Sequence, residues 1–214
     1  MGLRRTFRKI FNISKAAPPV EVYNRPSHYV APANIEDVYE GAFDKRSDLC
    51  RLITPGGVGV ELGVATGWFS HQIVKESQLS FLYSIDMWDG DRNHGTDEYK
   101  GALKLLMPYR ERNSCLRLRF DEALDLFPNN FFDFIYVDGY AHTGEENGQT
   151  LRDWWPKLKS GGLFAGDDYG PRWPLVMKEV DDFMHDRKLK FSILTPKIIE
   201  SSSAKHPTWL VKKP

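Results

Sequence analysis

The strongest constraint on the fold is an alternation of short apolar runs with amphipathic segments, which begins near Asn34 and continues along the chain. The apolar runs predict five strands, at VGVELGV (58–64), FLYSIDMW (81–88), SCLRLRF (114–120), FDFIYVDG (132–139) and GGLFAGD (161–167). The other segments predict helices at 34–53, 68–77, 98–111, 121–127, 150–158 and 174–186. Strands that alternate with helices form a mostly parallel sheet with helices on both faces.

The C-terminal part of the chain departs from this alternation. KFSILT (190–195) and PTWLVKK (207–213) are strand-like runs joined by a polar loop, with no helix between them. Such a connection predicts an antiparallel pair that closes the sheet. The whole pattern therefore predicts a doubly wound α/β fold.

Acidic and basic residues balance, with 29 of each and a formal net charge of zero. This balance argues against nucleic-acid binding, which needs a basic surface.

Cys50 and Cys115 are far apart and have no neighbouring histidines, so they predict neither a zinc site nor a disulfide framework. The sequence contains no apolar stretch long enough to span a bilayer and no apolar core of a signal peptide. We therefore expect a cytoplasmic protein.

The N-terminal residues differ in character from the rest of the chain. Within residues 1–15, apolar side chains fall on one helical face and basic side chains cover the others. Such an arm can bind a membrane surface or a partner, or pack on its own domain or on the second subunit of a homodimer. A proline-rich connector follows it. We therefore divide the chain into an arm with its connector (1–33) and a single domain (34–214).

A glycine-rich turn, ELGVATG (61–67), follows the first of these strands and opens the next helix. Its small residues allow the backbone to approach a ligand closely at the helix N-terminus. Asp86 ends the second predicted strand, where a carboxylate can accept both hydroxyls of a ribose. The dinucleotide fingerprint GxGxxG fails here, because its second and third glycine positions hold Ala65 and Trp68. The pattern favours a mononucleotide-like ligand, and the alternative is a tight turn that needs glycine for its own geometry.

ELGVATG, Asp86, and the runs FDFIYVDG and LKSGGLFAGDD together resemble the class I S-adenosylmethionine-dependent methyltransferases, over residues 34–214. The resemblance implies a Rossmann-like, seven-stranded sheet that is mostly parallel with an antiparallel last strand. It also implies S-adenosyl-L-methionine as the cofactor. The implied cofactor-binding residues are Glu61, Gly63, Ala65 and Gly67 beside the methionine part, Asp86 at the ribose, and Phe120 and Asp121 at the adenine. For Trp88, stacking on the adenine and packing in the core both remain open.

Three acids end adjacent predicted strands: Asp138 in one loop, and Asp167 and Asp168 side by side in another. Two adjacent carboxylates repel each other unless a positive charge is nearby, and hard divalent cations prefer several carboxylate ligands. The alternative is a loop that caps the next helix. The three acids resemble the magnesium site of metal-dependent O-methyltransferases of the catechol and macrolide-sugar types. We therefore predict Mg²⁺ or another divalent cation there, with Asp138 also in the catalytic machinery.

The resemblance is incomplete at the general base. The catechol type has a lysine three residues after its first metal-binding Asp, and that position is Ala141 here. We predict the next residue, His142, as the base, because its neutral form is available near pH 7; a loop histidine that faces water is the alternative. The segment DMWDGDRNHG (86–95) is similar to one in methyltransferase-like proteins of glycan modification, and predicts Asp91 and His94 as substrate contacts on a loop.

Together these features predict metal-assisted O-methylation of a small hydroxylated acceptor, such as a sugar or a glycan. A second interpretation keeps the cofactor without the metal, so that the acids contact the substrate and N-methylation becomes possible. A third is a non-catalytic nucleotide-binding scaffold of the same fold, because fold does not fix function.

Overall fold

The computed structural model describes residues 22–90, 94–139 and 146–214 of the chain. These residues include eight strands: β1 (Ala33–Asn34), β2 (Val58–Leu62), β3 (Phe81–Asp86), β4 (Asn113–Arg117), β5 (Phe132–Val137), β6 (Leu158–Gly166), β7 (Ser192–Leu194) and β8 (Thr208–Lys212). The α-helices are α1 (Trp68–Glu76), α2 (Thr96–Leu106), α3 (Phe120–Ala123), α4 (Gln149–Trp154) and α5 (Pro174–Asp186). The predicted basic arm lies outside the described residues.

The strands form one sheet in the order β1-β7-β8-β6-β5-β2-β3-β4. Strand β8 runs antiparallel to both of its neighbours, β6 and β7, and the other neighbouring pairs are parallel. The predicted mostly parallel sheet with an antiparallel last strand is therefore confirmed. The two-residue strand β1 adds an eighth strand at one edge. The chain changes direction across the sheet between β2 and β5, and ligands bind at such switch points in doubly wound folds.

Strand β5 explains why the sheet is covered on both faces. Ile135 and Val137 belong to the apolar cluster on one face, and Phe134 and Tyr136 to the cluster on the other. These side chains are at most 1 % exposed. Burial of one such side chain contributes about 1.5–3 kcal/mol, so a strand that is apolar on both faces must lie in the middle of the sheet.

The predicted helix at 34–53 is wrong. The segment contains the edge strand β1, a 3₁₀ turn at Ile35–Asp37 and a 3₁₀ helix at Arg46–Leu52. The Asn34 side chain does not cap the 3₁₀ turn. Gly41 has a φ of 111°, which lies outside the helical region and interrupts any continuous helix.

The helix predicted at 121–127 is shorter in the structure, where α3 ends at Ala123 and a 3₁₀ turn follows at Leu124–Leu126. The helices predicted at 98–111 and 150–158 are also shorter, because each ends before a proline. Helix α2 ends at Leu106 and α4 at Trp154, and each continues into a 3₁₀ turn that contains Pro108 or Pro156. Proline has no N–H to donate to an α-helical hydrogen bond. In contrast, α5 covers the predicted range 174–186. No helix within the described ranges is long and apolar enough to cross a membrane.

The described part of the connector packs against α5. Arg25 forms an ion pair with Asp181 at 2.7 Å, and the Tyr29 hydroxyl donates to Asp182 at 3.0 Å. The ring of Tyr29 stacks on His185 with 4.0 Å between the centroids. The Tyr169 hydroxyl also donates to Asp181, at 2.6 Å. The connector therefore supports the loop that carries the predicted acid pair.

The contact between β6 and β8 predicts the effect of one substitution. A Cβ on Gly166 would lie 2.5 Å from the fully buried Trp209 ring. Gly166→Ala should therefore lower the free energy of unfolding by about 1–3 kcal/mol through overpacking, as measured by urea denaturation. The control is Gly101→Ala on α2, where a Cβ would meet no atom within 4 Å; it should gain about 0.5–1 kcal/mol from helix propensity. Equal changes in the free energy of unfolding for the two substitutions would contradict the close contact between Gly166 and Trp209.

Candidate active site

A cavity of about 330 Å³ lies at the carboxyl ends of the strands where the strand order reverses. Loops after β2, β5 and β6 form its floor, and the loop between β7 and β8 forms one wall. Its lining includes Arg46, Glu61, Gly63, Val64, Ala65, Thr66, His94, Asp138, Asp167, Asp168, Arg172, Trp173, Lys205 and His206. The cavity therefore brings the glycine-rich turn and the acid cluster, predicted separately from the sequence, into one site.

The glycine-rich turn is held directly against the end of β5. Gly63 has a φ of 96°, and a Cβ at this position would overlap the backbone of Asp138. Gly67 precedes α1 with a φ of 83°. Ala65 stands where many such turns have glycine, yet it keeps a left-handed φ of 47°. The turn thus requires glycine for its own geometry, and it also borders the cavity.

Asp86 fixes the shape of this turn. Its carboxylate accepts hydrogen bonds from the backbone N–H groups of Val64 and Ala65, both at 2.9 Å, and of Trp88 at 3.0 Å. The residue is only 8 % exposed. The predicted contact of Asp86 with a ribose stays a prediction.

Trp88 supports the glycine-rich turn from the interior. Its side chain is fully buried, its indole N–H donates to the Ala65 carbonyl at 2.8 Å, and its ring lies 4.7 Å from that of Tyr99. A ring without exposed surface cannot stack on an adenine. Of the two interpretations of Trp88, the structure favours packing in the core.

Phe120 and Asp121 lie in a neighbouring cavity of about 360 Å³. The Phe120 ring packs against Gly139, where a Cβ would overlap it. Asp121 is exposed and forms an ion pair with Arg119 at 2.5 Å. The structure therefore does not bring these two residues into the main cavity, and their contact with the adenine stays a prediction. Asp91, predicted as a substrate contact, and the predicted base His142 lie outside the described residues.

The three predicted acids converge on one point. Asp138, Asp167 and Asp168 offer carboxylate oxygens that lie within 4.8 Å of one another. Backbone hydrogen bonds from Asp138 to Leu62 (2.7 Å) and from Asp167 to Val137 (3.1 Å) fix the loops to the sheet. Asp168 has a left-handed φ of 61°. Side chains that are 29 residues apart in sequence thus meet at the carboxyl end of the sheet.

Arg46 is the positive partner that the acid pair requires. Its guanidinium is 1 % exposed, forms an ion pair with Asp167, and lies 3.6 Å from Asp138. It also donates to the carbonyl of Ser203 at 2.7 Å. Adjacent acids in the sequence predict a positively charged partner. However, nothing in the sequence distinguishes Arg46 from the other 28 basic residues.

One guanidinium does not neutralise three carboxylates. Burial and the charge of Asp168 raise the pKa of Asp167 to about 7, although Arg46 opposes the shift. Burial raises the pKa of Asp168 to about 6, again against Arg46. Burial and Asp167 raise the pKa of Asp138 well above its ordinary value. The cluster therefore favours the uptake of further positive charge, either as protons or as a cation.

The residues fit a hard divalent cation. The Oδ1 atom of Asp167 is buried and has no hydrogen-bond partner among the described residues. Buried polar atoms are rarely left without a partner, and carboxylate oxygens are the ligands that Mg²⁺ and Ca²⁺ prefer. The raised pKa values, the converging oxygens and the unpartnered Oδ1 of Asp167 all favour a cation at the same point.

Basic side chains from the loops after β6 and β7 also border the cavity. Arg172 precedes α5, while Lys205 and His206 lie between β7 and β8. Burial, followed by the charges of Lys205 and Arg172, lowers the pKa of His206. His94, predicted as a substrate contact, also lines the cavity. No sequence motif marks Arg172, Lys205 or His206, so sequence reasoning did not find these three residues.

Comparisons with known proteins agree with this geometry. A family described as a methyltransferase domain matches residues 58–169, slightly more than half of the 214 residues. The matched region contains the glycine-rich turn, Asp86 and all three acids. The chain belongs to this methyltransferase family. It is a class I enzyme of the S-adenosylmethionine-dependent type. No curated protein sequence matches the methyltransferase significantly.

Solved structures share the fold of the methyltransferase at low sequence identity. A proposed O-methyltransferase from Klebsiella pneumoniae has a TM-score of 0.61 and 15% identity, with 83% of each chain covered. The O-methyltransferase from Bacillus cereus, in complex with SAH (S-adenosylhomocysteine), has a TM-score of 0.57 and 13% identity, with 77% of each chain covered. An rRNA methylase from Streptococcus thermophilus has a TM-score of 0.55 and 12% identity, and the match covers 78% of this chain and 93% of that one. Because these proteins differ in their described acceptors, the fold does not identify the acceptor.

We expect Glu61 to make the stability of the methyltransferase depend on pH. This side chain is 1 % exposed and accepts a hydrogen bond from Ser70. Burial raises the pKa of Glu61 from 4.5 to about 8. Between these values the folded protein binds more protons than the unfolded chain, so that rising pH lowers the free energy of unfolding.

The neutral variant Glu61→Gln should remove this contribution. Its free energy of unfolding should fall less steeply between pH 4.5 and about 8, by up to about 1.4 kcal/mol per pH unit. Urea denaturation of both proteins at several pH values in this window measures the difference. Identical pH slopes would mean that Glu61 is ionised in the folded protein.

Proposed function

We propose that the methyltransferase methylates a hydroxyl oxygen of a small acceptor, such as a sugar, with the help of a divalent cation bound by Asp138, Asp167 and Asp168. The observation that carries this proposal is the buried, unpartnered Oδ1 of Asp167 within a cluster of three carboxylates beside the glycine-rich turn. Structural carboxylates that only capped a helix would have their oxygens satisfied by backbone N–H groups.

S-adenosyl-L-methionine is the methyl donor that the family implies, and the Bacillus cereus relative was solved with the demethylated product. The glycine-rich turn fits such a ligand, because Gly63, Ala65 and the N-terminus of α1 border the cavity. In the proposed arrangement Glu61 and Gly67 complete this methionine site. Asp86 contacts the ribose in addition to holding the turn, while Phe120 and Asp121 border the adenine.

The chemistry determines what the remaining residues must do. Methyl transfer from a sulfonium requires an oxygen in line with the transferred carbon, so the protein contributes positioning and removal of the hydroxyl proton. A divalent cation would supply a lower hydroxyl pKa and a fixed oxygen position. The Arg46 guanidinium holds the carboxylates of Asp138 and Asp167 in place through its ion pairs with them. His142 remains the proposed base.

Cation binding by the acid cluster can be tested without knowledge of the acceptor. Asp167→Asn should weaken Mn²⁺ binding at least about tenfold, because a buried anionic ligand becomes a neutral amide. Isothermal titration of the protein loaded with S-adenosylhomocysteine measures this effect. The matched control is Asp125→Asn, which removes an exposed carboxylate and should leave Mn²⁺ binding unchanged. Equal Mn²⁺ affinity in all three proteins would contradict the proposal.

One observation favours a second candidate function, a methyltransferase that needs no metal. The guanidinium of Arg46 already lies within the acid cluster and supplies positive charge there. In this case the acids would contact the acceptor directly, and an amine would be a suitable nucleophile. Chelation by EDTA distinguishes the two candidates: methyl transfer to a screened acceptor stops in the first and continues in the second.

A further inference from the structure

Two cations at the mouth of the cavity have no assigned role in the chemistry described above. Arg172 and Lys205 both line the cavity and are both exposed. Neither forms an ion pair with a carboxylate in the part of the chain that the structure describes. In contrast, several other surface cations do so, such as Lys159 with Asp133 at 2.7 Å.

Arg172 and Lys205 belong to one wall of the cavity. The Arg172 guanidinium lies over the Trp173 ring at 5.6 Å, and this ring meets His206 edge-on at 6.4 Å. Lys205 is the neighbour of His206 in the chain. Asp138, Asp167 and Asp168 line the same cavity, whose volume is about 330 Å³. The wall is therefore close enough to the acid cluster for one small molecule to contact both.

Neither the acid cluster nor the cofactor site accounts for these two cations. Arg46 already occupies the interior side of the acid cluster. The proposed cofactor site is the turn between β2 and α1, whereas Arg172 and Lys205 lie in the loops that follow β6 and β7. They remain available for a ligand that enters from the acceptor side.

We propose that the acceptor carries an anionic group, a phosphate or a carboxylate, which Arg172 and Lys205 bind while its hydroxyl lies at the acid cluster. The half-buried Trp173 ring is placed to pack against the body of such a molecule. Arginine and lysine are the usual partners of phosphates and carboxylates. This inference rests on the proposed function, because an anion could approach three carboxylates only when Arg46 and a divalent cation balance their charge.

Three sugars that differ in one group provide the test: glucose 6-phosphate, glucuronate and glucose. Isothermal titration into the protein loaded with S-adenosylhomocysteine and Mg²⁺ should give an affinity at least about tenfold higher for the phosphate or the carboxylate sugar than for glucose. Preference for glucose 6-phosphate over glucuronate would identify the group as a phosphate, and the reverse would identify a carboxylate. Equal affinities for all three sugars would overturn the proposal.

Substitutions of Arg172 and Lys205 test whether these two side chains cause the higher affinity for the anionic sugar. Arg172→Gln and Lys205→Gln should each reduce the advantage of the anionic sugar about tenfold. Lys104→Gln removes another exposed lysine, on α2, that does not line the cavity, and should leave this advantage intact. If the two variants instead lose affinity for S-adenosylhomocysteine by the same factor, the cations bind the carboxylate of the cofactor and the proposal fails. Failure of the proposed divalent-cation site at the acid cluster would be detected separately by the Mn²⁺ titration, because that experiment uses no sugar.

Discussion

The structure of the site depends on one electrostatic arrangement: a buried guanidinium among three converging carboxylates. Asp138, Asp167 and Asp168 would repel one another in a low-dielectric interior. Arg46 lowers that cost, and it also connects the 3₁₀ helix Arg46–Leu52 to the ends of β5 and β6 and to the loop between β7 and β8. Four separate segments of the chain are thereby fixed around one cavity, and three carboxylates beside one guanidinium make the cavity suitable for a cation.

The glycine-rich turn meets this cluster through backbone rather than through side chains. Gly63 lies so close to Asp138 that a single methyl group would not fit between them. Asp86 and Trp88 hold the other side of the turn, through backbone N–H groups and the Ala65 carbonyl. A cofactor at the turn and a hydroxyl at the acids would therefore be held close together by the rigid end of the sheet, which is what a direct transfer requires.

Periodicity and local motifs were sufficient to predict the layered fold, the glycine-rich turn and the acid cluster. Strands such as β5, which are apolar on both faces, must be central in a sheet, and strand ends in a doubly wound fold converge on one edge. The acid cluster followed from that rule. The helix predicted at 34–53 failed because capping residues and spacing indicate a helix, while Gly41 and the buried Ile35 direct the segment along the sheet edge instead. The assignment of Trp88 stayed open for a similar reason, since exposure depends on neighbours that sequence does not specify.

The sequence alone determined the layered α/β architecture, the glycine-rich turn and the meeting of three acids, because these depend on residue periodicity and on the regular geometry of parallel strands. Only the tertiary structure decided which residue neutralises the acids, which aromatic ring is buried, and which cations face the mouth of the cavity. Arg46 is 121 residues from Asp167 in the chain, and Lys205 is also remote in sequence from the glycine-rich turn that lines the same cavity. Contacts of this kind arise from packing between distant segments, and no local pattern encodes them.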